Sequence, residues 1–249
     1  MSPDAASSAG PAPLALMIAL GLGALLGSVP FALLIGLARG VDIRRIGSRN
    51  PGATNLGRAL GLRYFFLAFV ADAGKGLAPS LIWGWRSGLL AGDPLELDAA
   101  GSLAWLSVAA APVLGHMFSP WVGFKGGKGV ATGLGAMLGV WPWLGVPAIG
   151  AAAVFGVTLA VWRYVGLASS LAAASLPLWT WYFFAQLSFM MSERARTQLD
   201  RASEPELVGW PYIAVAFALA AAVIWKHRGN LGRIVRGSEP RIGRGRSGR

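Results

Sequence analysis

Seven apolar stretches follow one another along the 249-residue chain and constrain its fold more than any other feature. They cover about 13–38, 60–85, 101–121, 129–143, 145–162, 166–190 and 208–226. A helix needs roughly 20 apolar residues to cross a bilayer, and most stretches approach or exceed that length. The fourth is shorter, and its Gly-Val-Trp-Pro-Trp ending fits either an interfacial turn or a kink in one longer helix. We therefore predict an all-α polytopic membrane protein with a seven-transmembrane-helix bundle.

The distribution of charge predicts the orientation of this bundle. Connections 39–63, 123–129 and 163–165, with the chain from 226 onward, carry seventeen Lys and Arg against two acids. The start of the chain and connections 86–100 and 191–207 carry four against eight. Because basic loops face the cytoplasm, we expect the N-terminus outside and the C-terminus in the cytoplasm. The net charge of +11 is then mostly topogenic, so we expect no nucleic-acid partner.

The first predicted cytoplasmic loop, 42–58, reads DIRRIGSRNPGATNLGR and has the composition of an anion site. Its small polar residues and glycines favour turns that aim main-chain N–H groups into one concavity. They are Gly47, Ser48, Asn50, Gly52, Thr54 and Asn55. Arg44, Arg45, Arg49 and Arg58 add forked donors that match phosphate oxygens. The alternative, a solvated basic loop that only sets topology, applies chiefly to Arg44 and Arg45.

A second loop, FKGGKGVATG at 124–133, combines glycines with two lysines before an apolar run. Gly126, Gly127 and Gly129 allow close backbone approach, while Lys125 and Lys128 supply positive charge. A helix that begins here would add its dipole to an anion site. The loop is not a Walker A motif, because glycine rather than Ser or Thr follows the second lysine. The alternative is a flexible turn with snorkelling lysines.

The segment WKHRGNLGRIVRGSEPRIGRGRSGR closes the chain. His227 and Asn230 lie three residues apart and share one helix face if the last helix continues that far. They could contact a substrate or, for His227, transfer a proton. The alternative is a helix end whose cations complement the dipole. The basic tail is expected to contact anionic lipid.

Other polar residues inside the apolar stretches have mainly structural interpretations. Asp72 and Lys75 are spaced to form a buried pair, and His116 suits a hydrogen-bonded interface. Ser169 and Ser170 suit packing or capping. We find no metal-ligand cluster, close carboxylate pair or Ser-His-Asp order, so we expect no metal and no cofactor. The chemistry would then rest on positioning and charge stabilisation.

Taken together, several segments resemble the bacterial acyl-phosphate:glycerol-3-phosphate acyltransferases. They are GSVPFALLIG (27–36), DIRRIGSRNPGATNLGRALG (42–61), LGHMFSPWVGFKGGKGVATGLG (114–135) and KHRGNLGRIVRGSEPRI (226–242). The resemblance implies transfer of a fatty acyl group from acyl phosphate to the 1-hydroxyl of sn-glycerol 3-phosphate, giving lysophosphatidic acid and phosphate. It also implies action at the cytoplasmic side of the bacterial inner membrane, among membrane lipids.

The resemblance implies roles for individual residues. Ser48, Arg58 and Lys128 would hold glycerol phosphate, and Asn50, Thr54, Asn55 and the glycine backbone would shape the site. His227 and Asn230 would orient the reacting groups, and Glu239 would brace the C-terminal segment. The predicted division is an extracytoplasmic segment over 1–12, a transmembrane catalytic domain over 13–226 and a cytoplasmic segment over 227–249.

Two departures and two rival functions accompany this interpretation. Arg49 stands where the family usually has glycine, which implies strain if the position needs a positive φ. Gly166 stands where the family often has serine, so Ser169 or Ser170 could supply that hydroxyl. A transporter of organic phosphates could also use anion sites at helix breaks. A non-catalytic anchor for anionic lipid would need only scattered Lys and Arg.

Overall fold

A computed structural model describes residues 13–90, 98–197 and 209–242, and these ranges contain helices but no strands. The helices are α1 (Pro13–Ser28), α2 (Phe31–Leu37), α3 (Ala53–Leu60), α4 (Leu62–Arg86), α5 (Ala99–Met117), α6 (Val130–Gly139), α7 (Gly145–Trp162), α8 (Val165–Thr197) and α9 (Trp210–Val235). The chain divides into two compact units, Met1–Trp141 and Pro142–Arg249. The predicted segment 1–12 and the tail after Ile242 lie outside the described residues.

The predicted all-helical membrane architecture is confirmed for the described ranges. Five segments are long and apolar enough to cross a bilayer: Pro13–Leu37, Leu62–Arg86, Ala99–Val122, Gly145–Trp162 and Trp210–Val235. The short fourth stretch forms α6, whose ten residues rise only about 15 Å. The sixth stretch forms α8, with 33 residues. The count of seven crossings therefore stays a prediction.

Glycines bring the helices of the first unit together. A Cβ at Gly76 of α4 would overlap the Thr132 carbonyl oxygen of α6, and one at Gly135 of α6 would overlap the Ala73 carbonyl oxygen of α4. Gly27 of α1 meets the backbone of α5 in the same way. In lipid, where the hydrophobic effect does not join helices, such close backbone approach supplies the packing.

The loop after α2 is anchored by apolar side chains. Ile43 is fully buried and packs in a cluster formed with α2, α3 and α4. The other buried members are Ala32, Leu33, Leu56, Tyr64 and Ala68. The apolar stretches did not predict α3, because this eight-residue helix is apolar on only one side. This cluster gives the first loop a fixed base.

The second unit is built from α7, α8 and α9, with α8 packed against both of the others. Trp143, Phe184 and Tyr212 are buried and pack as an aromatic group, with ring centroids 5.1 to 6.4 Å apart. The last helix continues to Val235, well past the predicted end of the apolar stretch at 226. His227 and Asn230 are therefore both helical residues.

Candidate functional site

Asn55 organises the first loop from its position in α3. Its side chain is buried, and Nδ2 donates to the carbonyls of Ile43 at 2.7 Å and Ile46 at 3.2 Å. Its Oδ1 accepts the Ser48 N–H at 3.1 Å. The amide therefore fixes the backbone that precedes and includes Ser48. The predicted role of Asn55 in shaping the loop is consistent with these bonds, while a direct contact with substrate stays a prediction.

Two positions in this loop adopt the left-handed backbone region. Gly47 has φ 56°, and a Cβ there would lie 2.5 Å from Asn55 Oδ1. Arg49 has φ 57°, so this residue carries the backbone strain expected for a positive φ at its position. An L-residue in this conformation costs roughly 1–2 kcal/mol. The exposed Ser48 lies between these two positions.

The loop passes into α3 through residues that were predicted to bind phosphate. Gly52 has an extended backbone and precedes the first helical residue, with no side chain capping the helix. Asn50 lies against Gly52, because a Cβ on the glycine would be 2.9 Å from Asn50 Oδ1. Thr54 is half-buried, and Arg58 is exposed in the last turn of α3.

Arg44 and Arg45 belong to a separate, exposed ion-pair group. Arg44 Nε and Nη2 each donate to the Asp42 carboxylate at 2.9 Å, and Arg45 Nε lies 3.4 Å from the same carboxylate. The hydrogen bonds from Arg44 lower the pKa of Asp42 to about 2, and the carboxylate raises the pKa of Arg44. These contacts agree with the structural interpretation of the two arginines.

The glycines of the second loop pack against the end of α5. The Gly127 N–H donates to the His116 carbonyl at 3.1 Å. A Cβ at Gly126 would overlap that carbonyl, and one at Gly127 would overlap the His116 ring. Gly129, with φ 78°, would bring a Cβ within 2.9 Å of Met117. The close approach predicted for these glycines is therefore made to protein, and phosphate binding by their amides stays a prediction.

The two lysines of the second loop differ in exposure. Lys125 is exposed, whereas Lys128 is half-buried directly before α6 begins. Gly129 precedes that helix in the left-handed conformation, and no side chain caps it. Thr132 in its first turn is fully buried, and its hydroxyl finds no partner in the described part of the chain. The helix N-terminus predicted beside Lys128 is therefore present.

A buried ionic cluster lies between α4 and α5 of the same unit and is defined here as Asp72, Lys75 and His116. Lys75 Nζ lies 2.8 Å from Asp72 Oδ1, which confirms the predicted pair. His116 Nδ1 lies 3.7 Å from the same oxygen. Lys75 Nζ also donates to the Val29 carbonyl at 2.7 Å. The pairing of Asp72 with Lys75 is local in sequence, whereas the approach of His116 is a tertiary contact that spacing cannot reveal.

In the second unit, Glu239 folds back onto α9. Its Oε1 accepts from Asn230 Nδ2 at 2.6 Å, and its Oε2 accepts from Arg233 Nε at 2.7 Å. Glu239 and Asn230 are both buried. These bonds agree with the bracing role expected for Glu239. Sequence reasoning missed Arg233, although its place three residues after Asn230 on one helix face was a signal.

His227 is 2% exposed, and its Nδ1 lies 2.8 Å from the Val223 carbonyl oxygen. A carbonyl can only accept, so Nδ1 must carry the proton in this bond. Nε2 of the neutral ring is then the nitrogen with an acceptor lone pair. The geometry thus selects the tautomer that a general base would need.

The two serines of α8 differ in their environment. Ser170 Oγ donates to the Gly166 carbonyl at 2.8 Å, so it is bonded within its own helix. Ser169 Oγ is buried and has no partner among the described residues. A Cβ at Gly166 would lie 2.6 Å from the Asn230 Cβ, so a serine at this position would require Asn230 or its helix to shift.

No group of three or more His, Asp or Glu in the described ranges is arranged to hold a metal ion.

Within the first unit, the structure brings together Ser48 with Asn55, Asn50 with Gly52, and the glycines 126–129 with His116 and Met117. The second brings together Asn230, Arg233 and Glu239.

These features define a helical integral membrane protein whose basic and small polar residues are concentrated in glycine-rich loops and at the end of the last helix. Comparison with known proteins identifies the family. Residues 17–237 match the family model described as glycerol-3-phosphate acyltransferase. The chain belongs to the glycerol-3-phosphate acyltransferase family.

Similar proteins cover nearly the whole chain. A glycerol-3-phosphate acyltransferase of Thermosynechococcus vestitus is 38% identical over 88% of this chain and 91% of its own length. That of Trichlorobacter lovleyi is 38% identical over 88% and 93%. A crystal structure of PlsY (YgiH), an integral membrane glycerol 3-phosphate acyltransferase in its glycerol 3-phosphate form, has a TM-score of 0.71. It is 34% identical and covers 92% of this chain and 96% of its own. Its lysophosphatidic acid form has a TM-score of 0.70 and 33% identity.

Proposed function

We propose that this protein transfers a fatty acyl group from acyl phosphate to the 1-hydroxyl of glycerol 3-phosphate, giving lysophosphatidic acid and inorganic phosphate. The observation that carries the proposal is membership of the glycerol-3-phosphate acyltransferase family across residues 17–237. That range contains three of the four segments on which the sequence-based resemblance depends, and most of the fourth. The acyl phosphate donor follows from the resemblance, and the chemistry of the residues is compatible with it.

The first unit is assigned to the phosphate of glycerol 3-phosphate. Arg58 and Lys128 would supply the positive charge, and Ser48 would donate a hydroxyl hydrogen bond. Support comes from the way Asn55 fixes the backbone at Ser48 and from the place of Lys128 next to a helix N-terminus. Asn50, Gly52, Thr54, Lys125 and the glycine backbone at 126, 127 and 129 complete the proposed site.

The reaction needs little nucleophilic assistance from the protein. Acyl phosphate is a mixed anhydride, and phosphate is a good leaving group. The 1-hydroxyl oxygen attacks the acyl carbonyl carbon, an ester C–O bond forms, and the bond from that carbon to the phosphate oxygen breaks. The departing phosphate takes the electron pair, and positive side chains stabilise its charge.

The proton of the attacking hydroxyl has two candidate acceptors. One is His227, a role that only the resemblance implies; within its own helix, the bond from Nδ1 to Val223 leaves Nε2 as the acceptor nitrogen. The other is a phosphate oxygen of the donor itself. Asn230 would orient the reacting groups, held in place by Glu239. A His227→Ala variant with near-normal turnover would assign the proton to the donor phosphate.

The proposed setting is the bacterial inner membrane, with seven crossings, the N-terminus outside and the site at the cytoplasmic face. The positive-inside distribution of Lys and Arg supports this orientation. Exposed apolar side chains along the long helices suit contact with lipid, among them Leu22, Val70 and Phe217. The acyl tail of the donor would enter the site from the surrounding lipid.

Purified protein in lipid nanodiscs, supplied with palmitoyl phosphate and labelled glycerol 3-phosphate, tests the proposal. We expect labelled lysophosphatidic acid, and none when palmitoyl-CoA or palmitoyl-acyl carrier protein replaces the acyl phosphate. Lys128→Met and Arg58→Met are expected to raise the KM for glycerol 3-phosphate. Movement of glycerol 3-phosphate into liposomes without acylation would instead identify a transporter.

A further inference from the structure

The buried ionic cluster directly adjoins the second glycine loop through His116. Side-chain exposure is 3% for Asp72, 1% for Lys75 and 8% for His116. Charges buried inside a membrane helix are costly and need a compensating role or partner. Pairing of Asp72 with Lys75 satisfies the charges, but it leaves unexplained why an ionisable ring approaches the pair and the loop at once.

Three separate contacts join His116 to the loop. Its carbonyl accepts the Gly127 N–H at 3.1 Å. The same carbonyl occupies the space that a Cβ at Gly126 would need, and its ring occupies the space that a Cβ at Gly127 would need. The path of the backbone directly before Lys128 is therefore set by the backbone and ring of one histidine.

The Nδ1 side of the His116 ring faces the carboxylate of Asp72. His116 Nδ1 lies 3.7 Å from Asp72 Oδ1, which is longer than a hydrogen bond but close for an electrostatic contact in a medium of low dielectric. Lys75 Nζ lies 2.8 Å from the same oxygen, so Asp72 Oδ1 faces both the ammonium group and the ring.

Lys75 in turn is fixed at two points. It lies against Asp72 and donates to the Val29 carbonyl at 2.7 Å, at the junction between α1 and α2. The Phe31 ring centroid lies 5.5 Å from Nζ. A continuous set of contacts therefore leads from that junction through Lys75 and Asp72 to His116 and the loop.

We propose that Asp72, Lys75 and His116 are positioning residues that hold the 126–129 backbone, and with it Lys128, in the geometry that receives glycerol 3-phosphate. The inference rests on the proposed function, in which Lys128 binds the phosphate of that substrate. None of the three residues needs to touch the substrate. Their loss would displace the loop, so it would weaken binding of glycerol 3-phosphate while leaving the acyl donor and the chemical step largely unaffected.

The test compares variants of the cluster with a matched control on the same helix. His116→Ala removes the ring, and Asp72→Asn with Lys75→Met removes both buried charges together, which avoids an unpaired charge. Ser80→Ala is the control, because Ser80 is also fully buried in α4 but lies outside the cluster. The substitution removes one hydrogen bond, from the Ser80 hydroxyl to the Gly76 carbonyl. We expect the cluster variants to raise the KM for glycerol 3-phosphate about tenfold with kcat within about threefold. The control is expected to keep both values.

A rescue experiment tests the contact itself. Gly127→Ala should clash with the His116 ring, and His116→Ala should remove that clash. The double variant is therefore expected to have a lower KM for glycerol 3-phosphate than Gly127→Ala alone, a non-additive result for residues in contact. His116→Asn, which keeps an amide nitrogen close to the position of Nδ1, is expected to lie between wild type and His116→Ala.

Amide hydrogen exchange over 124–129 supplies a readout that needs no activity. We expect faster exchange in the cluster variants than in Ser80→Ala. Exchange and KM values equal to those of the control would overturn the inference while the proposed function stood. Wild-type protein without acyltransferase activity would instead refute the proposed function, and the exchange comparison would still decide whether the cluster holds the loop.

Discussion

Asn55 Nδ2 donates to the Ile43 carbonyl at 2.7 Å, so one side chain of α3 fixes a backbone segment twelve residues earlier in the chain. Ile43 is itself fully buried, which anchors the segment from the apolar side. The loop that carries Ser48 is therefore held by both a polar and an apolar contact. Such preorganisation suits the proposed role of the loop, in which it presents donors to a phosphate.

Asn55→Ala is expected to destabilise the protein by about 2–4 kcal/mol, because three hydrogen bonds are lost and the buried Ile43 carbonyl loses its side-chain donor. Asn55→Asp keeps the acceptor for the Ser48 N–H but cannot donate to the two carbonyls. Asn55→Asp should therefore destabilise the protein at least as much as Asn55→Ala. Thermal unfolding in detergent, with the KM for glycerol 3-phosphate, measures both effects. A fully stable Asn55→Asp variant would show that the two donor bonds contribute nothing.

Arg49→Gly is expected to keep the stability of the protein or raise it by up to about 1 kcal/mol. Arg49 has φ 57°, and glycine relieves the strain of that conformation, although it also makes the unfolded chain more flexible. Arg45→Gly, at an exposed position without positive φ, is the matched control and should destabilise slightly. Melting temperatures test the pair. A fall in activity of more than about tenfold for Arg49→Gly at unchanged stability would assign the guanidinium to substrate binding instead.

Gly135→Ala should destabilise the first unit by about 1–3 kcal/mol or more, because the added methyl group would overlap the Ala73 carbonyl oxygen. Gly133, two residues earlier on α6, serves as the control, because a Cβ added there would have no neighbouring atom within 4 Å. Gly133→Ala should stabilise by about 0.5–1 kcal/mol through helix propensity. Equal melting temperatures for the two variants would contradict close packing of α4 on α6.

Glu239→Ala is expected to lower kcat by about tenfold or more, because Asn230 and Arg233 lose the carboxylate that holds them. Glu239→Gln keeps an acceptor for Asn230, so its kcat should lie between those of the wild type and Glu239→Ala. The Arg233 bond should contribute little to the loss of stability, since that side chain is 37% exposed, whereas the buried Asn230 amide loses its acceptor at a cost of about 1–3 kcal/mol. Ser238→Ala, at the neighbouring exposed position, should leave kcat unchanged. Full turnover by Glu239→Ala would remove the bracing role.

The sequence predicts the long helices well because a bilayer demands long apolar runs, and the bounds of α7 agree with its stretch at both ends. It predicts the ends of helices less well where local chemistry, rather than apolar length, determines them. Pro30 separates α1 from α2 within one apolar run, and the last helix extends through a polar sequence to Val235. Propensity and hydropathy carry little information about such ends.

The residue types of the candidate site could be predicted, but their partners could not. The glycines at 126 and 127 indicated close backbone approach, yet only the fold shows that they approach His116. The Asp72–Lys75 pair follows from helical spacing, whereas the link to His116 joins residues on two helices. Contacts between residues distant in sequence depend on packing, which no local pattern encodes.

Acyl transfer from acyl phosphate to glycerol 3-phosphate is measured by following both products of one reaction. Lysophosphatidic acid and inorganic phosphate are quantified together as purified protein consumes palmitoyl phosphate and glycerol 3-phosphate. If the protein transfers the acyl group as proposed, one lysophosphatidic acid forms for each phosphate released, and both rates fall in Lys128→Met at low glycerol 3-phosphate and recover at high concentration. Phosphate release without lysophosphatidic acid, or product formation that Lys128→Met leaves unchanged at every concentration, would contradict the proposal.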